Sequence, residues 1–307
     1  MKRALLVGIN YVGTSSELYG CINDIKNVFY FLTKYRNYPS ANMTIMSDDG
    51  EGIVPSKQNI LAAIDTLVSG VKAGDELFFH YSGHGSLVRD RNGDEVSGAD
   101  SCLCPVDYST AGFIIDDEIR SRLINKIPAG AKLYIILDCC HNGTGCDIRY
   151  RYDDNSVYNP RNKSWLTMQR MAQLNYPITA GDVYMISGCR DDQTSADTVF
   201  DDKAAGALTY FAVNLLRTNP LATYSWSQYL RDLRYYLRTY GYTQVPQIMT
   251  GKMINPNQLV MSDVTISSGT ASSSASVVGG MSSSSSKRSG VNVYGENAHK
   301  KMALTFT

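Results

Sequence analysis

Short apolar runs alternate with amphipathic stretches along the first half of the chain. Runs at 4–9, 43–46, 76–81 and 133–137 are mostly apolar and end in Gly, Ser, Asn or Asp. Runs of this length and composition suit strands of a parallel sheet covered on both faces. Between them lie stretches with helical spacing. Over 21–35, Ile22, Ile25, Val28, Phe29 and Leu32 share one face. Over 58–71, Ile60, Ala63, Ile64, Leu67 and Val71 do the same, and Ser56 stands where an N-cap is needed. The alternation predicts an α/β fold: a mostly parallel central sheet with helices on both faces and right-handed crossovers.

Residues 86–115 interrupt this rhythm, and Asn92-Gly93 inside them is a hairpin-turn signal. Asp116-Asp117-Glu118 opens a helix expected to run to 127, with acids suiting its first turn. Residues 150–176 are polar without a clear period and read as an exposed connection. A strand at 182–187, helices at 206–216 and 225–240, and a short strand at 246–249 follow. Ser225 and Gln228 have capping-box spacing, and Gly241 marks a stop. From 262 the composition turns Ser-rich, which predicts a disordered tail.

Composition narrows the class. Lys and Arg together number 29, as do Asp and Glu, so charge gives no reason to expect nucleic acid. Seven cysteines without paired spacing argue against a disulfide framework and for a reducing, cytoplasmic setting. No run approaches the ~20 apolar residues of a membrane span. The basic start, Lys2-Arg3, is followed by an apolar run broken at Asn10, which reads as a first strand rather than a signal peptide.

Two strands end in residues that carry chemistry. The run at 133–137 stops at Asp138-Cys139-Cys140-His141-Asn142-Gly143, and the run at 77–81 stops at Ser82-Gly83-His84-Gly85. Sites in α/β sheets lie beyond the carboxyl ends of strands. A cysteine and a histidine there are the materials of nucleophilic catalysis, and N–H groups at the turn can lower a thiol pKa or hold an oxyanion. On pattern alone Cys139 and Cys140 stay equivalent, and a free cysteine is as readily a small buried hydrophobe. Among four histidines, His299 lies in the tail, His80 inside a strand and His141 beside the cysteines. His84, in a turn of small residues, is the candidate base. It precedes Cys140 by 56 residues, comparable to the spacing of about 50 in caspases.

These motifs resemble the catalytic pair of metacaspases, a family of caspase-fold cysteine peptidases. The resemblance extends to Gly20-Cys21-Ile22-Asn23-Asp24, Pro105-Val106-Asp107, Ile115-Asp116-Asp117-Glu118, the stretch 186–197 and Val245-Pro246-Gln247. It implies a caspase-like three-layer sandwich over 1–261, with a large-subunit-like part over 1–150, a connection over 151–181 and a small-subunit-like part over 182–261. The tail is 262–307. The Gln-Ala-Cys pentad of true caspases is absent.

The resemblance implies Cys140 as nucleophile, His84 as general acid and base, and the N–H groups of Gly85 and Cys140 as the oxyanion hole. It places Cys21, Asp24, Ser82 and Asp138 around the primary substrate pocket. Two carboxylates in one pocket favour a cation, so cleavage after Arg or Lys is expected. It also implies that Asp100, Asp116, Asp117 and Asp147 bind Ca2+, a hard cation that relieves repulsion among acids. The start at the first strand and the short connection suggest a type I-like enzyme without a prodomain, and the resemblance implies a monomer. Arg149, Arg151, Arg161, Lys163, Arg170 and Lys287-Arg288 are candidate self-cleavage sites, or simply solubilising charge. The expected partners are protein or peptide substrates, with neither nucleic acid nor membrane. The competing reading is a non-catalytic caspase-like scaffold or proteostasis partner. A dinucleotide binder is disfavoured, because Gly8-Ile9-Asn10-Tyr11-Val12-Gly13 is no fingerprint for one.

Overall fold

The computed structural model describes residues 1–89, 99–139, 146–153, 158–159, 164–165, 170–188, 197–200, 203–219 and 223–261. One compact unit spans Met1–Ser262; Asp263–Thr307, where the disordered tail is expected, lies outside the described residues.

Strand β1 (Lys2–Gly8) leads through a loop to helix α1 (Cys21–Tyr35), then β2 (Met43–Ser47) and α2 (Lys57–Val68). The Ser56 side chain accepts from the Asn59 N–H, so the predicted N-cap is real. On α1 the buried face is completed by Phe31 rather than Phe29. Strand β3 (Glu76–Ser82) follows, then β4 (Gly85–Arg89) and β5 (Ala99–Leu103), an antiparallel pair either side of Asn92-Gly93, which itself lies outside the described residues. A turn of helix α3 (Tyr108–Ala111) and β6 (Ile114–Ile115) precede α4 (Asp116–Arg122). Strand β7 (Lys132–Asp138) is wholly buried.

The next segment corrects an expectation. Residues 150–176 do not form an exposed connection throughout: β8 (Tyr150–Asp153) and β11 (Arg170–Gln173) are strands of the main sheet, with the short β9 (Tyr158–Asn159) and β10 (Ser164–Trp165) between them. Tyr150 and Tyr152 are buried, and the Tyr152 hydroxyl accepts from the Ile254 N–H at 2.8 Å. Strand β12 (Asp182–Ser187), the hairpin β13 (Asp197–Phe200) and β14 (Lys203–Gly206), helices α5 (Ala207–Thr218) and α6 (Trp226–Thr239), and β15 (Gln247–Thr250) complete the unit. The Ser225–Gln228 capping box forms as predicted: the Ser225 hydroxyl accepts from the Gln228 N–H, and Gln228 Oε1 accepts from the Ser225 N–H at 2.9 Å.

The main sheet has eight strands in the order β11-β8-β15-β12-β7-β3-β1-β2. β2, β1, β3, β7 and β12 run parallel, and β15, β8 and β11 add antiparallel pairings. Alternation along β3 and β7 divides the core. Leu77, Phe79, Tyr81, Leu133, Ile135 and Leu137 pack with Ile60, Ile64, Leu67 and Ile119 of α2 and α4. On the other face, Tyr134 stacks on its neighbour Tyr184 at 5.3 Å, and Tyr184 on Trp226 of α6 at 5.2 Å. The result is the three-layer caspase-like α/β sandwich the sequence implied. Among the described residues no helix is long and apolar enough to cross a membrane.

Candidate active site

Parallel pairing brings the two chemistry-bearing strand ends together. Ser82 lies opposite Asp138, and the Gly83 N–H donates to the Asp138 carbonyl at 3.3 Å. His84 and Cys140 each lie two residues past this last pair. Residues 140–145, including Cys140, lie outside the described residues, so the His84 half of the pair and Gly85 at the start of β4 are what can be placed. Cys139 is fully buried with the core cluster, where its thiol is kept from a substrate carbonyl.

His84 is half-buried at the top of β3. Its Nε2 lies 2.7 Å from the backbone carbonyl of Ser16. A carbonyl only accepts, so Nε2 is the donor in this contact. The imidazole lies against the Tyr11 ring with centroids 4.7 Å apart and planes at 38°. The backbone around it is equally tied. The His84 N–H donates to the Tyr11 hydroxyl at 2.9 Å, the Tyr81 hydroxyl donates to the His84 carbonyl at 2.8 Å, and so does the Cys104 N–H at 3.1 Å. Burial pushes both phenols well above their usual range, so both stay neutral donors. Gly83 is small for a related reason. A Cβ there would fall 2.8 Å from the Tyr81 hydroxyl and 3.1 Å from that of Tyr11.

Beside this turn two buried carboxylates come together. Asp24 comes from the first turn of α1, Ser82 from the end of β3 and Asp138 from the end of β7; their exposures are 0%, 2% and 4%. The Ser82 hydroxyl donates to Asp24 Oδ2 at 2.6 Å. The Gly206 N–H reaches both Asp24 oxygens at 3.0 Å, and the Thr209 N–H donates to Asp138 Oδ2 at 2.9 Å. The N-terminal end of α5 thus faces two carboxylates, where its free N–H groups and dipole favour negative charge. Both carboxylates converge on Gly206: a Cβ there would fall 2.3 Å from Asp138 Oδ2 and 2.6 Å from Asp24 Oδ2. Gly206 and Thr209 were not foreseen in the sequence, being 182 and 71 positions from the acids they serve. Cys21, predicted here, is buried at the start of α1, where its N–H donates to Asn10 Oδ1 at 3.0 Å. A Cβ at Gly8 of β1 would fall 2.4 Å from the Cys21 carbonyl oxygen, so glycine there lets the start of α1 lie against the strand.

The four acids expected to hold a metal lie on β5, α4 and the segment after 146. Asp100, Asp116 and Asp147 are buried, at 3%, 3% and 2% exposure. Asp116 accepts from the Ser101 N–H at 2.9 Å and the Asp117 N–H at 3.1 Å. Arg120, one helical turn past Asp116, donates to the Asp147 carbonyl and to that of Pro177 at 2.8 Å. Burial lowers the Arg120 pKa, while Asp147 opposes the shift. Burial pushes the Cys146 thiol well above its usual value, and the nearby charges of Asp116 and Asp147 add to this. Cys146 and Asp147 both have left-handed backbone, φ +74° and +51°. The donor set fits a hard cation in kind, being carboxylate oxygens, although Arg120 already places a positive charge beside Asp147. It is not drawn together, since among the described residues no three His, Cys, Asp or Glu side chains form a group able to hold a metal. Arg120 is the feature of this region that sequence reasoning missed.

Comparison with known proteins gives the same direction. Residues 2–149 match the family model described as "Metacaspase, peptidase C14 domain". The chain is 35% identical to Metacaspase-1A of Neurospora crassa over 84% of its own length and 64% of that protein's. It is 36% identical to Metacaspase-1 of Scheffersomyces stipitis, covering 80% of this chain and 70% of that one, and 34% identical to Metacaspase-1 of Schizosaccharomyces pombe, covering 83% and 68%. It therefore spans about two thirds of the length of these relatives. Among solved structures, protein GSU0716 from Geobacter sulfurreducens shares the fold, with a TM-score of 0.58, 23% identity, and coverage of 83% of this chain and 95% of that one.

Proposed function

As this chain belongs to the metacaspase family of cysteine peptidases, we propose that it cleaves peptide bonds after Arg or Lys, with His84 and Cys140 as the catalytic pair and Ca2+ as activator. The observation that carries this reading is the convergence of Asp24 and Asp138 on Gly206, beside the turn that presents His84. A pocket with two carboxylates selects a guanidinium or ammonium and repels an acidic side chain.

The residues take the following roles. The Asp24 and Asp138 carboxylates hold the basic side chain preceding the scissile bond, with Ser82 fixing Asp24 by its hydroxyl. The Ser16 carbonyl keeps the His84 proton on Nε2, leaving Nδ1 to take the proton of the Cys140 thiol. The thiolate adds to the scissile carbonyl, and the N–H groups of Gly85 and Cys140 hold the oxyanion. His84 then returns its proton to the leaving amine, the C–N bond breaks, and a thioester remains on Cys140. Water, deprotonated by His84, hydrolyses the thioester and frees the thiol. Asp100, Asp116, Asp117 and Asp147 are the acids that would hold Ca2+, which when bound would neutralise their charge.

A peptide library read for the residue preceding the cut, with calcium and with chelator, tests this proposal. Cuts after Arg and Lys that require calcium are expected. Faster turnover of peptides with Asp at that position would overturn the pocket assignment, and undiminished cleavage in chelator would overturn the activation.

A further inference from the structure

We infer that Tyr11 is a positioning residue for His84, holding the imidazole through its hydroxyl and its ring; the inference rests on the reading of His84 as the general base. Tyr11 is 1% exposed, yet its backbone is left-handed at φ +52°, a conformation that residues bearing a Cβ seldom adopt. The loop after β1 holds it there. The Tyr11 carbonyl accepts from the Thr14 N–H at 3.1 Å and the Thr14 hydroxyl at 2.8 Å, and the Leu18 N–H closes the loop onto the Asn10 carbonyl at 2.7 Å.

This conformation sends the Tyr11 hydroxyl between two strands of a different part of the fold. It accepts from the His84 N–H at 2.9 Å, just before β4, and donates to the Cys104 carbonyl at 2.6 Å, just after β5. The Tyr81 hydroxyl, 3.1 Å away, ties the same two residues from β3. The ring of Tyr11 meets the His84 ring on one side and Tyr108 edge-on at 6.2 Å on the other. Ser16, whose carbonyl fixes the Nε2 proton, belongs to the same loop. One loop therefore grips His84 at its backbone, its ring face and its proton. Placement of this kind matters because a misplacement of about 1 Å costs about a hundredfold in rate. The Asp24 and Asp138 carboxylates are bonded by Ser82, Gly206 and Thr209, whereas the Tyr11 hydroxyl bonds at His84 and Cys104.

Tyr11→Phe keeps the ring and removes the hydroxyl. The expected result on an Arg peptide is a kcat lower by about 10- to 100-fold at unchanged KM. The deciding readout is the pH dependence of iodoacetamide alkylation at Cys140, followed by peptide mass in the full chain. A thiolate paired with His84 alkylates well below the ordinary thiol pKa of about 8.5. His84→Ala should move the midpoint up towards that value, and Tyr11→Phe should move it part of the way. If His84→Ala leaves the profile in place, the reading of His84 as base fails and this inference with it. If His84→Ala moves the profile and Tyr11→Phe does not, the pair stands and the positioning role of Tyr11 is overturned. Should Tyr11→Phe not fold, Tyr81→Phe decides: a shift in the same direction supports the hydroxyl clamp, and a wild-type profile overturns it.

Discussion

Gly206→Ala puts a methyl group where the Asp24 and Asp138 carboxylates meet. The backbone at Gly206 is ordinary, φ −69°, so the substitution acts through space rather than conformation. The new Cβ falls 2.3 Å from Asp138 Oδ2, 2.6 Å from Asp24 Oδ2 and 2.9 Å from Asp138 Cγ. To reach ordinary contact at 3.4 Å, Asp138 Oδ2 must retreat by about 1 Å. That shift lengthens the 2.9 Å bond from the Thr209 N–H and displaces the charge meant to meet the substrate. Overpacking of this size costs about 1–3 kcal/mol, and each kcal/mol lowers Tm by about 2–4 °C in a domain of this size. The expected Tm fall is modest, while kcat/KM on Arg peptides drops by about a hundredfold. The assay pairs scanning calorimetry with kcat/KM on matched peptides carrying Arg or a neutral isostere before the scissile bond. The loss should be confined to the Arg peptide. Wild-type kcat/KM for Arg with Ala at 206 would refute the claim that the pocket lies between these carboxylates.

Other consequences are more quickly stated. His80 is fully buried with its Nδ1 at the Ile136 carbonyl, and burial lowers its pKa from 6.5 to about 3. Below pH 6.5 the unfolded chain takes up a proton that the native His80 refuses, so this site removes about 2 kcal/mol of stability between pH 7 and pH 5. Urea unfolding at the two pH values should show this loss in the wild type and not in His80→Leu; equal losses in both would contradict it. Calcium added to chelated protein should raise both Tm and kcat/KM, since a ligand of the folded state stabilises it, and Asp147→Asn should abolish both effects. No change in either quantity would remove the metal from the account. Ser225→Ala breaks the capping box of α6 and should cost about 1 kcal/mol, seen as a Tm fall of a few degrees with activity intact.

Much of the scaffold was legible because its signals are local. The apolar runs of β1, β3, β7 and β12, the faces of α1 and α2 and the caps at Ser56 and Ser225 are each set by residues within a few positions of one another. β8 was missed for an instructive reason. Buried Tyr150 and Tyr152 flank a partly exposed Arg151, too short an alternation to stand out, and the polar composition of the surrounding stretch masked the two tyrosines. The site divides in the same way. The parallel pairing of the strands whose turns carry His84 and Cys140 could be read from the chain, whereas the choice of Cys140 over Cys139 and the pairing of Asp24 with Asp138 came only from the family resemblance. Gly206, Thr209, Tyr11 and Ser16 could not be read, because their partners come together only in the folded chain. Gly83 was read as a turn glycine, whereas its close neighbours are the hydroxyls of Tyr11 and Tyr81.

The central claim is a nucleophilic cysteine at 140 fed by a pocket for basic side chains. It is tested most directly by covalent capture. A peptidyl acyloxymethyl ketone ending in Arg should label Cys140 alone, as located by peptide mass. Labelling should fall sharply in His84→Ala and Asp138→Asn, and the matching ketone ending in Asp should label poorly. Labelling of a different cysteine, or equal labelling by the Asp reagent, would contradict the account.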